Sequence, residues 1–358
     1  MASKGSSPTL PLADVLEAAG KRAELLTGPE GSRILILPHG GRVLGVFAPG
    51  SDESFLWTNS ALSDRDSARA LFASPDWCNT GGDRTWLAPE ADFFLPGYPE
   101  TSEYFQPRQL DPGNYACSRT GNSVVLENRQ TLHSYRTGDD IEVVVRKIIE
   151  PATNPLDLVE SPIDAQNIAA AGYSLKCSLE MNSGTAKTVV GLWNLLQLPH
   201  GGEMLIATRT RSEAVVYFGS IPAGDLVAED RLVRWSMRRE GEHKIGVLPG
   251  AVTGRAGYLH GAGRELSLVV RDFTVEQTGL YIDAPWSGTA DKACAFQACS
   301  VRNARLGSFS EMEYHAPAIG GVSGKARSKD SSRVRCFRGP VAMIWALASR
   351  LLGARPLS

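Results

Sequence analysis

The chain has 358 residues, 42% hydrophobic and 21% charged, with a formal net charge of −2 and a pI near 6.3. This is the composition of a folded globular protein, without the basic excess of a nucleic-acid binder before roughly the last forty residues. No apolar run approaches the roughly 20 residues of a membrane-spanning helix; the best stretch, Val341 to Leu352, is short and carries Arg350. Neither nucleic acid nor membrane is therefore expected as a partner.

The first residues hold no apolar run long enough for a signal peptide, and Pro8 and Pro11 punctuate them. Cys78, Cys117, Cys177, Cys294, Cys299 and Cys336 form no CxxC pair and show no metal-ligand spacing. In a long chain without a signal, free buried thiols are the better reading than disulfides. The expectation is a cytoplasmic protein with no cofactor and no metal site legible in the sequence, which leaves metal dependence open.

In chain order, Leu12, Val15, Leu16, Ala19 and Ala23 recur at near-helical spacing and predict a helix over Leu12–Ala23. Arg33–Leu37 and Arg42–Phe47 then read as two strands joined by the turn Pro38-His-Gly-Gly41. Asp64–Ala73 reads as a short helix. Further β-rich runs are Ser123–Glu127, Thr131–Arg136, Ile141–Ile149, Tyr173–Met181, Thr188–Leu196, Met204–Thr208, Ala214–Phe218, Leu266–Phe273, Ala293–Val301 and Phe309–His315. They are rich in Val, Ile, Tyr and Phe and bounded by Gly, Asn, Asp or Pro. Gly320–Arg335 is polar, glycine- and serine-rich and basic, and reads as an exposed loop. Pro340–Leu352 reads as a terminal helix with Gly353 as its stop.

Strands outnumber helices and do not alternate with them, which predicts an all-β antiparallel sandwich with short peripheral helices. The expected organisation is an N-terminal extension with a short helix over 1–30, one β-sandwich domain over 31–319, the polar loop over 320–335, and a strand and helix over 336–358 packing on the same domain. Leu37-Pro-His-Gly-Gly41 and Leu198-Pro-His-Gly-Gly202 are the same pentapeptide. Two similar hairpins or chance would each produce that repeat.

Several chemistries are excluded by motif. No G-x-S-x-G elbow, no H-E-x-x-H and no G-x-G-x-x-G after a strand occurs, and Gly321-Val-Ser-Gly-Lys325 lacks P-loop spacing. What survives is polar chemistry beside aromatics. Asn79-Thr-Gly-Gly-Asp-Arg-Thr-Trp-Leu-Ala-Pro-Glu90 brings Asp83, Arg84, Trp86 and Glu90 close together. Sugars need aromatic faces for their C–H surfaces and planar charged groups for their hydroxyls. A structural ion pair and a core tryptophan would leave the same residues.

In Ser310-Glu-Met-Glu-Tyr-His315, strand alternation sets Glu311, Glu313 and His315 on one face and Met312 and Tyr314 on the other. Paired ionisable groups suit acid/base work, although such a face can also simply meet solvent. Gly191-Leu-Trp-Asn-Leu-Leu-Gln197 gives Trp193 and Gln197 the same parity, while a tryptophan here suits a core equally well. His200 beside a glycine turn, and Lys244, Arg255 and Tyr258 near two others, are secondary candidates.

Together these segments resemble the galactose mutarotase-like superfamily, which includes the aldose 1-epimerases. More closely they are similar to an uncharacterised branch marked by the Asn79–Glu90 segment, the Trp193-Asn-Leu-Leu-Gln-Leu-Pro199 segment and the late Glu311-Met-Glu-Tyr-His-Ala-Pro317 strand. The resemblance implies one β-supersandwich that binds a hexose on a concave face, with a late glutamate as base and a histidine as acid. Glu313 or Glu311 matches the base. The epimerase histidine falls on Val190 here, leaving Arg84 and His315 to serve in a different arrangement.

The reading is a carbohydrate-active protein with Glu313 as base, His315 or His200 as acid and Glu311 tuning the pair. Arg84, Trp86, Asp83, Glu90, Trp193, Gln197 and Lys244 would hold the sugar, monomeric or oligomeric. A non-catalytic sugar-binding or interaction module, or a lyase or hydrolase on the same scaffold, is the alternative.

Overall fold

A computed structural model describes residues 10–153 and 167–356. The first nine residues of the expected N-terminal extension and the last two of the chain lie outside them.

The first sheet has ten strands. They are β1 (Glu24–Thr27), β2 (Arg33–Leu37), β3 (Arg42–Phe47), β4 (Asp83–Ala88), β9 (Val189–Pro199), β11 (Val215–Phe218), β14 (Gly241–Val247), β17 (Phe296–Asn303), β18 (Gly307–His315) and β19 (Ile319–Gly320). Their order is β1-β2-β3-β4-β9-β18-β17-β14-β11, with β19 beside β9. The second sheet is built from β5 (Ala116–Thr120), β6 (Ser123–Ser134), β7 (Asp139–Pro151), β8 (Ala169–Ser183), β10 (Glu203–Thr208), β12 (Leu226–Ala228), β13 (Leu232–Ser236), β15 (Val252–His260), β16 (Glu265–Phe273) and β20 (Arg327–Pro340). Its order is β12-β13-β10-β15-β16-β20-β8-β7-β6-β5. Among the described residues every pairing is antiparallel.

The expected all-β sandwich is what the chain forms. Leu87, Leu192 and Met312 of the first sheet and Leu175, Leu179, Ile206 and Val269 of the second share one core. Each such side chain contributes about 1.5–3 kcal/mol on burial. Charges cross the same layer: Arg271 on β16 holds Asp83 on β4 through two bonds of 3.2 and 3.1 Å, and Tyr173 on β8 donates to that carboxylate at 2.5 Å. Lys147 on β7 donates to the Gly41 carbonyl at 2.7 Å.

Helices cover parts of the outer faces. Helices α1 (Pro11–Ala18) and α2 (Arg65–Ala73) bury Leu16 and Ala68 on Leu35, Leu37, Leu44 and Phe47 of the β2–β3 hairpin. The Asp64 side chain caps α2 by accepting from the Asp66 and Ser67 amides. After β4 comes the single turn α3 (Glu90–Phe93). Helix α4 (Val341–Leu352) sets Ile344, Leu347 and Leu352 on Leu205, Leu268 and Phe337 of the second sheet.

Several sequence expectations are corrected. The first helix ends at Ala18, because Gly20 takes a φ of 72° and turns the chain; Glu24–Thr27 then joins the sheet as an edge strand. Ser123–Glu127 and Thr131–Arg136 belong to one continuous strand through Ser134. The expected loop over Gly320–Arg335 is strand from Arg327 onward, lying between β16 and β8. Its exposed Arg, Ser and Lys residues face out, while Asp330, Ser332 and Val334 alternate inward. The repeated pentapeptide serves two geometries: the first joins β2 and β3 within a sheet, the second carries β9 across to β10 in the other. All six cysteines are free, four of them buried, with Cys78 half-buried and Cys117 exposed. Among the described residues no helix is long and apolar enough to cross a membrane.

Candidate functional site

Register decides which side chains meet. Across β4, β9 and β18 the paired residues are Arg84 with Leu195, Trp86 with Trp193, Gln197 with Glu311, and His315 with Trp193. The pattern continues through Cys299 opposite Glu311 on β17 and Lys244 opposite Cys299 on β14. Directly opposed residues in an antiparallel pair share a face. Arg84, Trp86, Trp193, Gln197, Glu311, Glu313, His315, Cys299 and Lys244 therefore lie on one face, turned away from the second sheet. Helices α1 and α2 cover the β2–β3 end of that face. Over its centre, Glu90 at the start of α3 and Trp77, Tyr104 and Trp286 from flanking loops join the strand residues to enclose a cleft of about 250 Å³.

Two ion pairs form its floor. Arg84 Nη2 lies 2.9 Å from Glu311 Oε1, which also accepts from Gln197 Nε2 at 3.0 Å. Lys244 Nζ lies 3.1 Å from Glu313 Oε2, which also accepts from the Trp193 indole at 2.7 Å. The cations rest on aromatic faces, with Arg84 Cζ 4.1 Å from the Trp86 ring centre and Lys244 Nζ 4.5 Å from that of Trp193. Unspent capacity remains: Glu313 Oε1, Gln197 Oε1 and the Nε and Nη1 of Arg84 have no hydrogen-bond partner among the described residues.

Electrostatics separates these groups. Burial pushes the Glu313 carboxyl up to about 7, with Lys244 opposing and Glu311 adding to the rise. Burial alone would lower the Lys244 ammonium, but Glu313, Glu90 and Asp283 outweigh it and raise it. Glu90 is raised by burial and by Asp283, against Lys244, Tyr104 and Trp286. The Cys299 thiol is held well above its ordinary range by burial and by both floor glutamates. Ligand atoms of Cys299, Glu311 and Glu313 lie within 4.8 Å of one another, close enough to hold a cation. Arg84 and Lys244 already supply their counter-charge, so an incoming ion would have to displace one of them.

The cleft brings together Arg84, Trp86, Glu90, Trp193, Glu311, Glu313 and Lys244, with Gln197 bonded to Glu311 on the same face. Three expected residues fall elsewhere. Asp83 is one residue out of phase with Arg84 and faces the second sheet, where Arg271 and Tyr173 hold it. His200 sits in the turn after β9, and the groups acting on it are Arg239, Arg302, Glu240 and His260, none from the cleft floor. His315 shares the face but not the cleft lining; its ring stacks on Trp193 at 5.6 Å, and burial lowers its pKa to about 4. Of the secondary candidates, Arg255 pairs with Asp272 and Tyr258 donates to the Pro199 carbonyl, so both serve structure.

Sequence reasoning missed the groups that shape the walls. Asp111 Oδ2 accepts from Arg42 at 2.6 Å, Trp77 at 2.9 Å and Trp86 at 3.0 Å, fixing both tryptophans. Asp283 accepts from the Glu90 amide at 2.8 Å and from Gln297 at 2.9 Å, and lies 4.0 Å from His315 Nε2. An aspartate beside Pro112 and another between Ile282 and Ala284 carry no local signal of these duties.

The profile of a family of unknown function (DUF6786) matches residues 13–355. The chain belongs to that family. The match takes in all of the strands described above, so the cleft lies wholly within the family's region. No curated protein matches the chain in sequence. Among solved structures, galactose 1-epimerase from Lactobacillus acidophilus NCFM is similar at a TM-score of 0.40 and 9% identity, over 89% of this chain and 95% of that one.

Proposed function

We propose that the protein binds a single sugar ring in this cleft and performs acid/base chemistry on it, as an aldose epimerase-like enzyme of galactose mutarotase-like fold, with Glu313 as the proton acceptor. The observation that carries the reading is Glu313 itself. Its carboxyl lines the cleft, is fully buried, keeps Oε1 free and titrates near 7. A general base works best with a pKa near the operating pH.

The surroundings support a sugar. The half-buried Trp77 and Trp286 offer apolar faces to C–H surfaces, the faces of Trp86 and Trp193 being taken up by Arg84, Lys244 and His315, while Arg84 offers donors to hydroxyl pairs. At about 250 Å³ the cleft is smaller than the roughly 300–1,000 Å³ typical of drug-sized ligands, which favours one ring over an oligomer. Assays of anomer interconversion over a panel of aldoses, paired with calorimetry on the same sugars, test this. Turnover that depends on Glu313 supports the enzyme. Binding heat without turnover supports a sugar-binding module, and neither signal sinks the carbohydrate reading.

A further inference from the structure

We propose that Glu90 is the proton donor that works with Glu313 in this cleft, a catalytic role that rests on the sugar-chemistry reading above. Opening a sugar ring requires a proton at the departing ring oxygen as another leaves the anomeric hydroxyl. The histidine that sequence reasoning assigned to the donor does not line the cleft. His315 lies flat against Trp193, and neither of its ring nitrogens has a hydrogen-bond partner among the described residues.

The other protonated groups of the floor are poor donors. Guanidinium groups do not give up protons in proteins, the Lys244 ammonium is raised, and the Cys299 thiol and Tyr104 hydroxyl are both held above their usual ranges, chiefly by burial and by neighbouring carboxylates. Glu311 is committed to Arg84 and Gln197 as an acceptor. Glu90 remains.

Its position is fixed from several sides. It opens the turn that directly follows the strand carrying Arg84 and Trp86, with its amide bound to Asp283. Its carboxyl accepts the Tyr104 hydroxyl at 2.8 Å and lines the cleft. Every element packed on it contributes a group: Lys244 from β14, Asp283 and Trp286 from the loop after β16, and Tyr104 from the loop after α3. Burial and Asp283 raise its carboxyl above the ordinary glutamate range, in the direction that favours the protonated donor.

Lys244 couples the two carboxyls, since it acts on both Glu313 and Glu90. When Glu313 takes a proton, the ammonium is left to favour ionisation of Glu90. Coupled groups exchange charge in this way. For a cyclic aldose the step balances. The anomeric O–H proton passes to Glu313 Oε1, the electron pair of that O–H bond forms the C1=O1 double bond, the bond from C1 to the ring oxygen breaks with its electrons going to that oxygen, and Glu90 protonates it. The open-chain aldehyde turns and recloses by the reverse transfers, which restores both carboxyls.

The test measures anomer exchange by NMR and sugar binding by calorimetry for the intact protein, Glu90→Gln, His315→Gln and Tyr104→Phe. Glu90→Gln should lower turnover by about 10²–10⁴-fold while binding persists, and His315→Gln should retain most of it. Tyr104→Phe removes a hydrogen bond that favours the ionised carboxyl, so the alkaline limb of the rate profile should move to higher pH. That readout also decides the matter if Glu90→Gln does not fold. Full turnover by Glu90→Gln, a loss confined to His315→Gln, or an unmoved alkaline limb in Tyr104→Phe would overturn the donor alone and leave the sugar chemistry standing. Absence of turnover in the intact protein on every aldose would overturn both.

Discussion

The Trp193 indole donates to Glu313 Oε2 at 2.7 Å, so one residue both walls the cleft and stabilises the charged form of its carboxylate. Trp193→Phe keeps the wall and removes the donor. The carboxyl pKa then rises, the base form becomes scarcer near neutrality, and the acid limb of the rate profile moves to higher pH. A hydrogen bond to a charged group is worth about 1.5 kcal/mol or more, and about 1.4 kcal/mol is one pKa unit. A shift of about one unit is expected. A profile that falls in height without moving would show that the bond does not tune Glu313.

Glu313→Gln should lower turnover by about 10²–10⁴-fold and abolish the acid limb near pH 7. Glutamine keeps an acceptor for Trp193 but leaves the buried Lys244 ammonium without its carboxylate, so a stability loss of up to about 3–5 kcal/mol is expected and the rates are compared at a temperature where the variant is folded. Stability against pH gives an independent check. The folded carboxyl titrates near 7 against 4.5 for an ordinary glutamate. Its contribution to stability is therefore full below about 4.5 and lost as pH rises through about 7. Denaturant titrations across that window should show a slope that Glu313→Gln flattens. Glu311→Gln, whose carboxylate is tied to Arg84, should cost less in rate and keep the limb, shifted to lower pH by the lost repulsion.

Asp111→Asn should disturb the aromatic wall. The carboxylate is buried with Arg42 and holds the indoles of Trp77 and Trp86. Breaking a buried ion pair on one side costs about 3–5 kcal/mol. Thermal denaturation should show that loss, and tryptophan fluorescence of the still-folded protein should report altered indole environments. An unchanged spectrum and melting temperature would remove Asp111 from the wall.

Asp83→Asn separates the two faces of β4. Asp83 pairs with Arg271 between the sheets, whereas its neighbour Arg84 lines the cleft. The substitution should reduce stability by about 3–5 kcal/mol and leave sugar affinity at a permissive temperature unchanged. Lost affinity in a stably folded variant would return Asp83 to the site.

The legible part of the site was the part written within single strands. Alternation along Glu311–His315 correctly set three ionisable groups on one face, and Trp193 and Gln197 shared parity as their spacing required. Asp83 was misassigned because β4, beginning at a glycine turn, was not recognised as a strand; alternation would have split it from Arg84. His315 was misjudged for a different reason. Sharing a face does not grant access, and the stacked indole of Trp193 takes up the space beside it. Asp111, Asp283 and Cys299 reach the site only through long-range pairing, which one sequence does not display. Strand β20 read as a loop because its exposed half carries the polar, basic residues, masking the inward alternation of Asp330, Ser332 and Val334.

The placing of β18 and β20 has a consequence for how the chain is made. Strand β18 sits between β9 and β17, and β20 sits between β8 and β16. Among the described residues each is the sole link between two halves of its sheet. During synthesis, therefore, neither sheet can be completed until residues 307–340 have emerged from the ribosome. Until then β8, β9, β16 and β17 present unpaired edges, templates for pairing with other chains. Pairings this distant in sequence are also slow to form. Completion of the cleft falls under the same schedule, since β18 carries Glu311 and Glu313. Arg84 and Lys244 gain their ion-pair partners only when that strand is in place, so closing the first sheet and assembling its charged floor are a single event.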